Sequence, residues 1–167
     1  GAGKHQTPIW SPNGQYIAFV TNQNDENFIW TIPAQGGNPV SKTNLAISTS
    51  ACELLKWSND GKKLYFKSGQ LLKTIDLNTG QINEVTLPSE KLTGAFSISQ
   101  DESLIAFVSL DGEKQQLLVY NSIKDELIEV TEKGDVDLFP ALLPDNSRII
   151  FSSNQNGNYQ LYITDFV

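Results

Sequence analysis

The sequence is poor in the residues that do chemistry. It holds one histidine, one cysteine and no methionine. With Cys52 alone, no internal disulfide can form and the redox compartment stays open. Zinc wants clustered Cys and His side chains, and no such cluster exists. Nucleophilic catalysis needs a nucleophile with a base in reach. The single imidazole, His5, stands near the amino terminus, and no GxSxG elbow occurs. Basic residues are scarce as well: 12 Lys and Arg face 19 Asp and Glu, a formal charge of −7. That balance disfavours a phosphate-neutralising surface, so nucleic-acid binding by this segment is not expected. No apolar run approaches the roughly 18 residues that a spanning helix needs, so direct membrane insertion is not expected either. No signal peptide is visible, and helical periodicity is essentially missing.

What remains is enough for an ordered domain. The 167 residues are 39% hydrophobic and 19% charged, outside the ranges of disordered tails. The excess of acid reads as a solubility feature. Gly1-Ala2-Gly3 and the absent methionine look like an expression scar on a piece of a longer polypeptide. Residues 1–6 are therefore read as scar or linker, and His5 as a tag or linker remnant.

Self-similarity is the strongest signal. Residues 8–24, PIWSPNGQYIAFVTNQN, align without a gap on residues 140–156, PALLPDNSRIIFSSNQN. Two further copies lie between, LLKWSNDGKKLYFKS at 54–68 and AFSISQDESLIAFVS at 95–109. A strand aromatic recurs as Phe19, Phe66, Phe107 and Phe151, with Ile17, Leu64, Ile105 and Ile149 two residues earlier. Period-2 spacing puts each pair on one face of a strand. Each copy begins with a short strand ending at Trp10, Trp57, Ile98 or Leu142. Turns follow at 11–14, 58–61, 99–102 and 143–146, rich in Pro, Asn, Asp and Gly. Polar hairpin tips and third strands come next, at 28–32, 71–77, 117–120 and 160–163. Fourth strands are expected at 39–42, 81–86 and 126–131. Four short antiparallel strands in units of about 40–45 residues make a β-propeller blade. The reading is all-β, a β-propeller with four blades in this chain at about 7–43, 44–88, 89–131 and 132–167. A small twisted sheet cannot cover both its faces, so blades stack, with the four phenylalanines expected between neighbours.

The runs PIWSPNGQYIAFVT, WSNDGKKLYF and PALLPDNSRIIFSSNQNGNYQLYI resemble the WD40-like (PD40) repeat of TolB-like propellers. The resemblance covers residues 7–167; the third copy lacks the turn Pro and Gly, and the fourth lacks the Trp. It implies a scaffold offering loops at one mouth of a ring, in a family that includes periplasmic interaction partners, propellers of serine peptidases and sensor domains of membrane-anchored transcription regulators. GQLLKTIDLNTGQIN in copy two is most similar to regulator-type repeats. The fourth copy stops after its third strand. That leaves three options: a four-blade ring, a slice of a larger ring, or an eight-blade ring completed by a second copy.

The search for a site ends on loops. Asp135-x-Asp137 could offer oxygens to calcium but lacks a known loop pattern, and reads as a solvated turn. Asp76, at a third-strand end, is the one acid placed for glycosidase-type work. No Gly-rich loop opens a helix to cradle phosphate. The expectation is a non-catalytic module with no cofactor and no metal, in the periplasm or cell envelope, binding a protein partner or itself. The candidate contact residues are Asn22, Asn24, Asp25, Asn154, Asn156, Asp135 and Asp137, in the segments 22–27, 154–158, 89–92 and 132–137. The competing readings are an accessory propeller of a prolyl-oligopeptidase-like serine peptidase and a small-ligand-binding propeller.

Overall fold

The computed structural model describes residues 4–43, 51–89, 92–132, 137–155 and 157–166. Among them there are strands and no helix. Strands β1 (Lys4–Trp10), β2 (Tyr16–Gln23), β3 (Glu26–Pro33) and β4 (Val40–Ser41) form one sheet in chain order. A second sheet holds β5 (Cys52–Trp57), β6 (Lys63–Ser68), β7 (Leu71–Asp76) and β8 (Ile82–Glu84). A third holds β9 (Leu92–Ile98), β10 (Leu104–Asp111), β11 (Lys114–Asn121) and β12 (Glu126–Glu129). The fourth has three strands, β13 (Asp137–Leu142), β14 (Arg148–Ser153) and β15 (Gln160–Asp165). Neighbouring strands pair antiparallel throughout. These are the four blades that the repeat predicts. They fall into two compact units, Gly1–Val85 with blades one and two and Thr86–Val167 with blades three and four. Strand β1 begins earlier than the sequence suggests. Residues 4–6, read there as linker, continue the ladder opposite Asn22, Thr21 and Val20. They pair because β2 runs on to Gln23 and offers them open backbone groups.

The turn between first and second strands shows why the repeat survives changes of residue. In blade two the Ser58 hydroxyl donates to Asp60 Oδ1 at 2.7 Å and accepts the Lys63 N–H at 2.9 Å, while Asp60 Oδ1 accepts the Lys62 N–H at 3.0 Å. Ser11 and Asn13 make the same clasp in blade one, and Ser99 and Asp101 in blade three. Serine and a short Asx side chain suit this because both reach nearby backbone groups. Blade four has Leu143 where the serine stands. There Asp145 still accepts the Ser147 N–H, and Arg148 holds its other oxygen at 2.7 Å from Nε. The turn closes on a left-handed residue each time: Gly14 at φ 68°, Gly61 at 69°, Glu102 at 66° and Asn146 at 55°. Glycine takes that conformation without a Cβ penalty, whereas Glu102 carries one.

These hydrogen bonds reach the clasp acids' protonation. The Ser99 and Ser103 hydroxyls and the Ser103 N–H bring the Asp101 carboxyl down to about 2 from 3.8. The Ser147 N–H and the Arg148 side chain bring Asp145 to about 2 as well. Asp60 is lowered by the Lys62 N–H and the Ser58 hydroxyl.

Packing within each unit follows one rule. Every blade has a head face, carrying the repeat phenylalanine, and a tail face, carrying the intervening positions of the same strands. In the first unit the head residues Leu64 and Phe66 of blade two share a core with the tail residues Ala18, Val20 and Ile29 of blade one. In the second, Ile149 and Phe151 of blade four share a core with Ala106, Val108, Leu117 and Val119 of blade three. Polar straps cross the same seams: Trp57 Nε1–H donates to the Ile9 carbonyl at 3.2 Å, and the Leu142 N–H donates to Ser97 Oγ at 3.0 Å. Phe66, Phe107 and Phe151 are buried as expected, but Phe19 is only half-buried, because blade two stacks on the tail face of blade one and leaves its head face uncovered within the unit.

Two outcomes follow. Phe66→Ala removes a fully buried ring and should cost about 3–5 kcal/mol in denaturant unfolding; a loss below about 1 kcal/mol would contradict the shared core. For Asp101, a depressed folded-state pKa adds stability that is complete above the unfolded value of 3.8 and vanishes as pH falls through about 2. Asp101→Asn should therefore melt below the parent chain at neutral pH, with the gap closing across that acid window. A gap independent of pH would show that the carboxylate's charge does no such work.

Candidate functional site

Register fixes which loops share an edge. In each blade the start of the first strand pairs with the end of the second: His5 with Thr21, Cys52 with Ser68, Leu92 with Ser109, Asp137 with Ser153. Strand entry and second-to-third hairpin tip therefore sit together, on the edge opposite the Ser–Asx clasps. Of the four segments that the sequence offers for binding, residues 22–27, Ser89, Leu92, Asp137 and Asn154 are described at this edge of their own blades.

In blade one, Asn22 Nδ2 donates to Asn27 Oδ1 at 3.1 Å, bracing the base of the hairpin. Asn24 and Asp25 form its two-residue tip, both left-handed at φ 51° and 64°. Two successive positive φ values are the signature of a type I′ turn, whose twist matches the strands. Both side chains are exposed. In blade four, the Asn154 carbonyl accepts the Gly157 N–H at 2.7 Å. The Asp137 backbone pairs with Ser153, which brings Asp137 and Asn154 to one end of that sheet. Asp135 and Asn156 lie outside the described residues. In blade three the entry segment is tied down by a 2.8 Å hydrogen bond between the Ser89 and Ser109 hydroxyls.

The opposite edge is chemically occupied. Asp76, the acid that sequence position singles out, accepts the Asn78 and Thr79 N–H groups, each at 2.9 Å, and the Thr79 hydroxyl at 3.1 Å. These bonds lower its pKa, the Thr79 N–H most. It caps its own turn, as Asp60, Asp101 and Asp145 do theirs. Cys52 is buried, and desolvation, with help from the Glu53 charge, pushes its thiol up to about 12. The thiol form is a poor nucleophile. Among the described residues no three His, Cys, Asp or Glu side chains gather as a metal site would require.

The feature that sequence reading missed is a hollow of about 520 Å³ on the head face of blade one. His5, Pro8, Phe19, Trp30, Ile32 and Pro39 line it. The His5 ring stands edge-on to Phe19, with centroids 5.5 Å apart and planes at 85°. So His5 is a paired strand residue packed on the repeat phenylalanine, and not a loose remnant. Thr21 Oγ1 and Trp30 Nε1 are buried here without a hydrogen-bond partner among the described residues. Buried polar atoms are rarely left so. The available signal was that Phe19 belongs to the first copy, which has no preceding blade in its own unit.

No family model matches the chain, and no curated protein sequence does. Solved structures do. TolB from Acinetobacter baumannii superposes with a TM-score of 0.73 at 22% identity, over 98% of this chain and 41% of that one. An oligogalacturonate lyase in complex with manganese gives 0.73 at 21% identity, over 98% of this chain and 49% of its own. The β-propeller domain of the Trilobed protease from Pyrococcus furiosus, described as having an open velcro topology, gives 0.51 at 16% identity, over 99% and 70%. The chain thus spans less than half the length of the TolB and lyase structures it matches. Enzymes and TolB share the architecture, and at these identities the likeness speaks for the fold alone. The fold is that of a TolB-like β-propeller.

Proposed function

We propose that this chain is a non-catalytic binding module whose contact surface is the edge formed by strand entries and second-to-third hairpin tips. The observation that carries this reading is the contrast between the two edges. On one, carboxylates and hydroxyls are consumed by Ser–Asx clasps and turn caps. On the other, Asn24 and Asp25 stand exposed on a type I′ tip and are available to a partner. Loops on a rigid scaffold are where binding residues concentrate. The partner is a protein, and the setting is a bacterial cell envelope, as the likeness to TolB favours. The regulator-type resemblance of GQLLKTIDLNTGQIN supports a finer version, the periplasmic sensor part of a membrane-anchored transcription regulator.

A second reading, an accessory propeller of a serine peptidase, is favoured by the likeness to the Trilobed protease domain. The parent gene separates the two. A regulator places a winged helix and a spanning segment upstream, while a peptidase places an α/β-hydrolase domain with a GxSxG elbow downstream.

The direct test is capture from envelope extract with immobilised chain. Replacing Asn22, Asn24, Asp25 and Asn154 together by alanine should abolish retention of the proteins that the parent chain holds. Lys124→Ala, in the opposite-edge turn after β11, should leave retention unchanged. Equal retention by all three would assign binding elsewhere.

A further inference from the structure

Each unit contains one seam between two blades, and the two seams differ at their clasp ends. In the second unit Asn146 Nδ2 of blade four donates to Asp101 Oδ2 of blade three at 2.8 Å, which ties one turn to the next. Leu104, the residue whose N–H the Ser99 hydroxyl holds, is buried at 5% exposure. In the first unit the repeat puts Gly61 in the seat of Asn146, Asn13 in that of Asp101 and Tyr16 in that of Leu104. Gly61 has no side chain to cross the seam, and a Cβ at that position would meet no atom within 4 Å. Asn13 Oδ1 accepts the Ser11 hydroxyl at 2.8 Å and the Gln15 N–H at 3.0 Å, so its Nδ2 holds the place of Asp101 Oδ2, with a long 3.4 Å hydrogen bond to Gln15 Oε1. Tyr16 is 44% exposed. The seam is thus open here, as a hollow of about 160 Å³ between blades one and two whose lining includes Pro12, Asn13, Tyr16, Trp57, Asp60 and Gly61.

We propose that this hollow seats one neutral sugar ring, with a C–H face of the ring against Tyr16 and its hydroxyls at the Asn13 amide and the Asp60 carboxylate. Size, charge and polarity carry this. The volume is well below the roughly 300 Å³ at which sites for drug-sized ligands begin, which suits a single ring. Asp60 is the one charged residue of the lining, and its charge is already answered: Oδ1 accepts the Ser58 hydroxyl and the Lys62 N–H, and Lys62 Nζ lies 3.9 Å from Oδ2. A cation therefore finds little net attraction, and an anion would face the carboxylate. A purely apolar group would leave the Asn13 N–H stranded. A hydroxyl both donates and accepts, so it suits a rim that sets an amide N–H beside a carboxylate. Tyr16 and Trp57 supply the aromatic wall on which a few polar groups can orient a ligand. Trp57 is held in place by its Nε1–H donation to the Ile9 carbonyl. The site lies on the clasp edge, apart from the protein contacts proposed at Asn22, Asn24, Asp25 and Asn154, so either reading can fail without the other.

The test is titration of the chain with methyl β-D-glucopyranoside and with N-acetyl-D-glucosamine, followed by amide proton–nitrogen correlation spectra. At least one of the two should shift the Tyr16 and Gly61 amides saturably, with a Kd in the millimolar range expected of a small ligand. Gly61→Asn puts into the hollow the side chain that closes the other seam. Its φ of 69° is close to the 55° that Asn146 adopts, so the variant should keep the parent's circular dichroism and weaken binding about tenfold or more. Gly14→Asn makes the same change at φ 68° in the turn of blade one, outside the lining, and should bind as the parent chain does. Should Gly61→Asn not fold, Tyr16→Leu, which copies Leu104, carries the same expectation. The proposal is overturned if neither sugar gives saturable shifts, if tetramethylammonium chloride saturates the site in their place, or if the folded Gly61→Asn chain binds undiminished.

Discussion

Within each unit, the fit of a phenylalanine-bearing sheet face onto the aliphatic face of the preceding sheet is the contact on which the structure rests. A four-stranded sheet of this size buries one face at most by its own means, and every other source of core is missing: no helix is described, no disulfide can form, and the single thiol is itself part of the packing. Phe66 over Ala18 and Val20, and Phe151 over Ala106 and Val108, are the same solution twice. The tail faces that meet these rings are aliphatic, Ala18, Val20 and Ile29 in one unit and Leu104, Ala106, Val108, Leu117 and Val119 in the other, and all of these are buried. Packing of this kind supplies most of the free energy that opposes chain entropy.

That constraint also explains how the polar residues are used. Because the seams are apolar, the polar side chains move to the two edges, and there they divide. On one edge, serine with aspartate or asparagine clasps the turn in blades one to three, and Asp145 with Arg148 holds it in blade four. On the other, the Asn22 side chain braces Asn27 at the base of the first hairpin, and Asn24 and Asp25 stand exposed at its tip. Asp76 and Asp101 are clear cases of acids that serve their own turns.

Much of this was legible in the sequence, because the repeat fixes phase. The spacing of Phe19, Phe66, Phe107 and Phe151 placed the blades, and the left-handed residues at 14, 61, 102 and 146 follow the same steps in the backbone. The missing fourth strand of the last blade was legible too. What the pattern could not convey is environment. Phe19 holds the same place in its strand as Phe66, but its burial depends on a neighbouring sheet, and sequence phase says nothing of neighbours beyond a chain's end. His5 read as a remnant because a lone residue before the repeat has no periodic support; only pairing opposite Thr21 shows it as strand. The clasps were visible as turn composition, whereas the reciprocal hydrogen bonding of Ser58 and Asp60 needed coordinates. The tip geometry stayed least legible, since exposed residues such as Asn24 and Asp25 carry no periodic signal, and only coordinates show them as successive left-handed positions.

A double-mutant cycle between the two sides of one seam addresses the stacking rule most directly. Val20→Ala on the tail of blade one and Phe66→Leu on the head of blade two belong to one core, so their unfolding free energies should not add. A coupling of about 0.5 kcal/mol or more is predicted, in the range seen for residues in contact. Strict additivity would mean that the two blades do not share that core, and the account of how this chain holds together would fail.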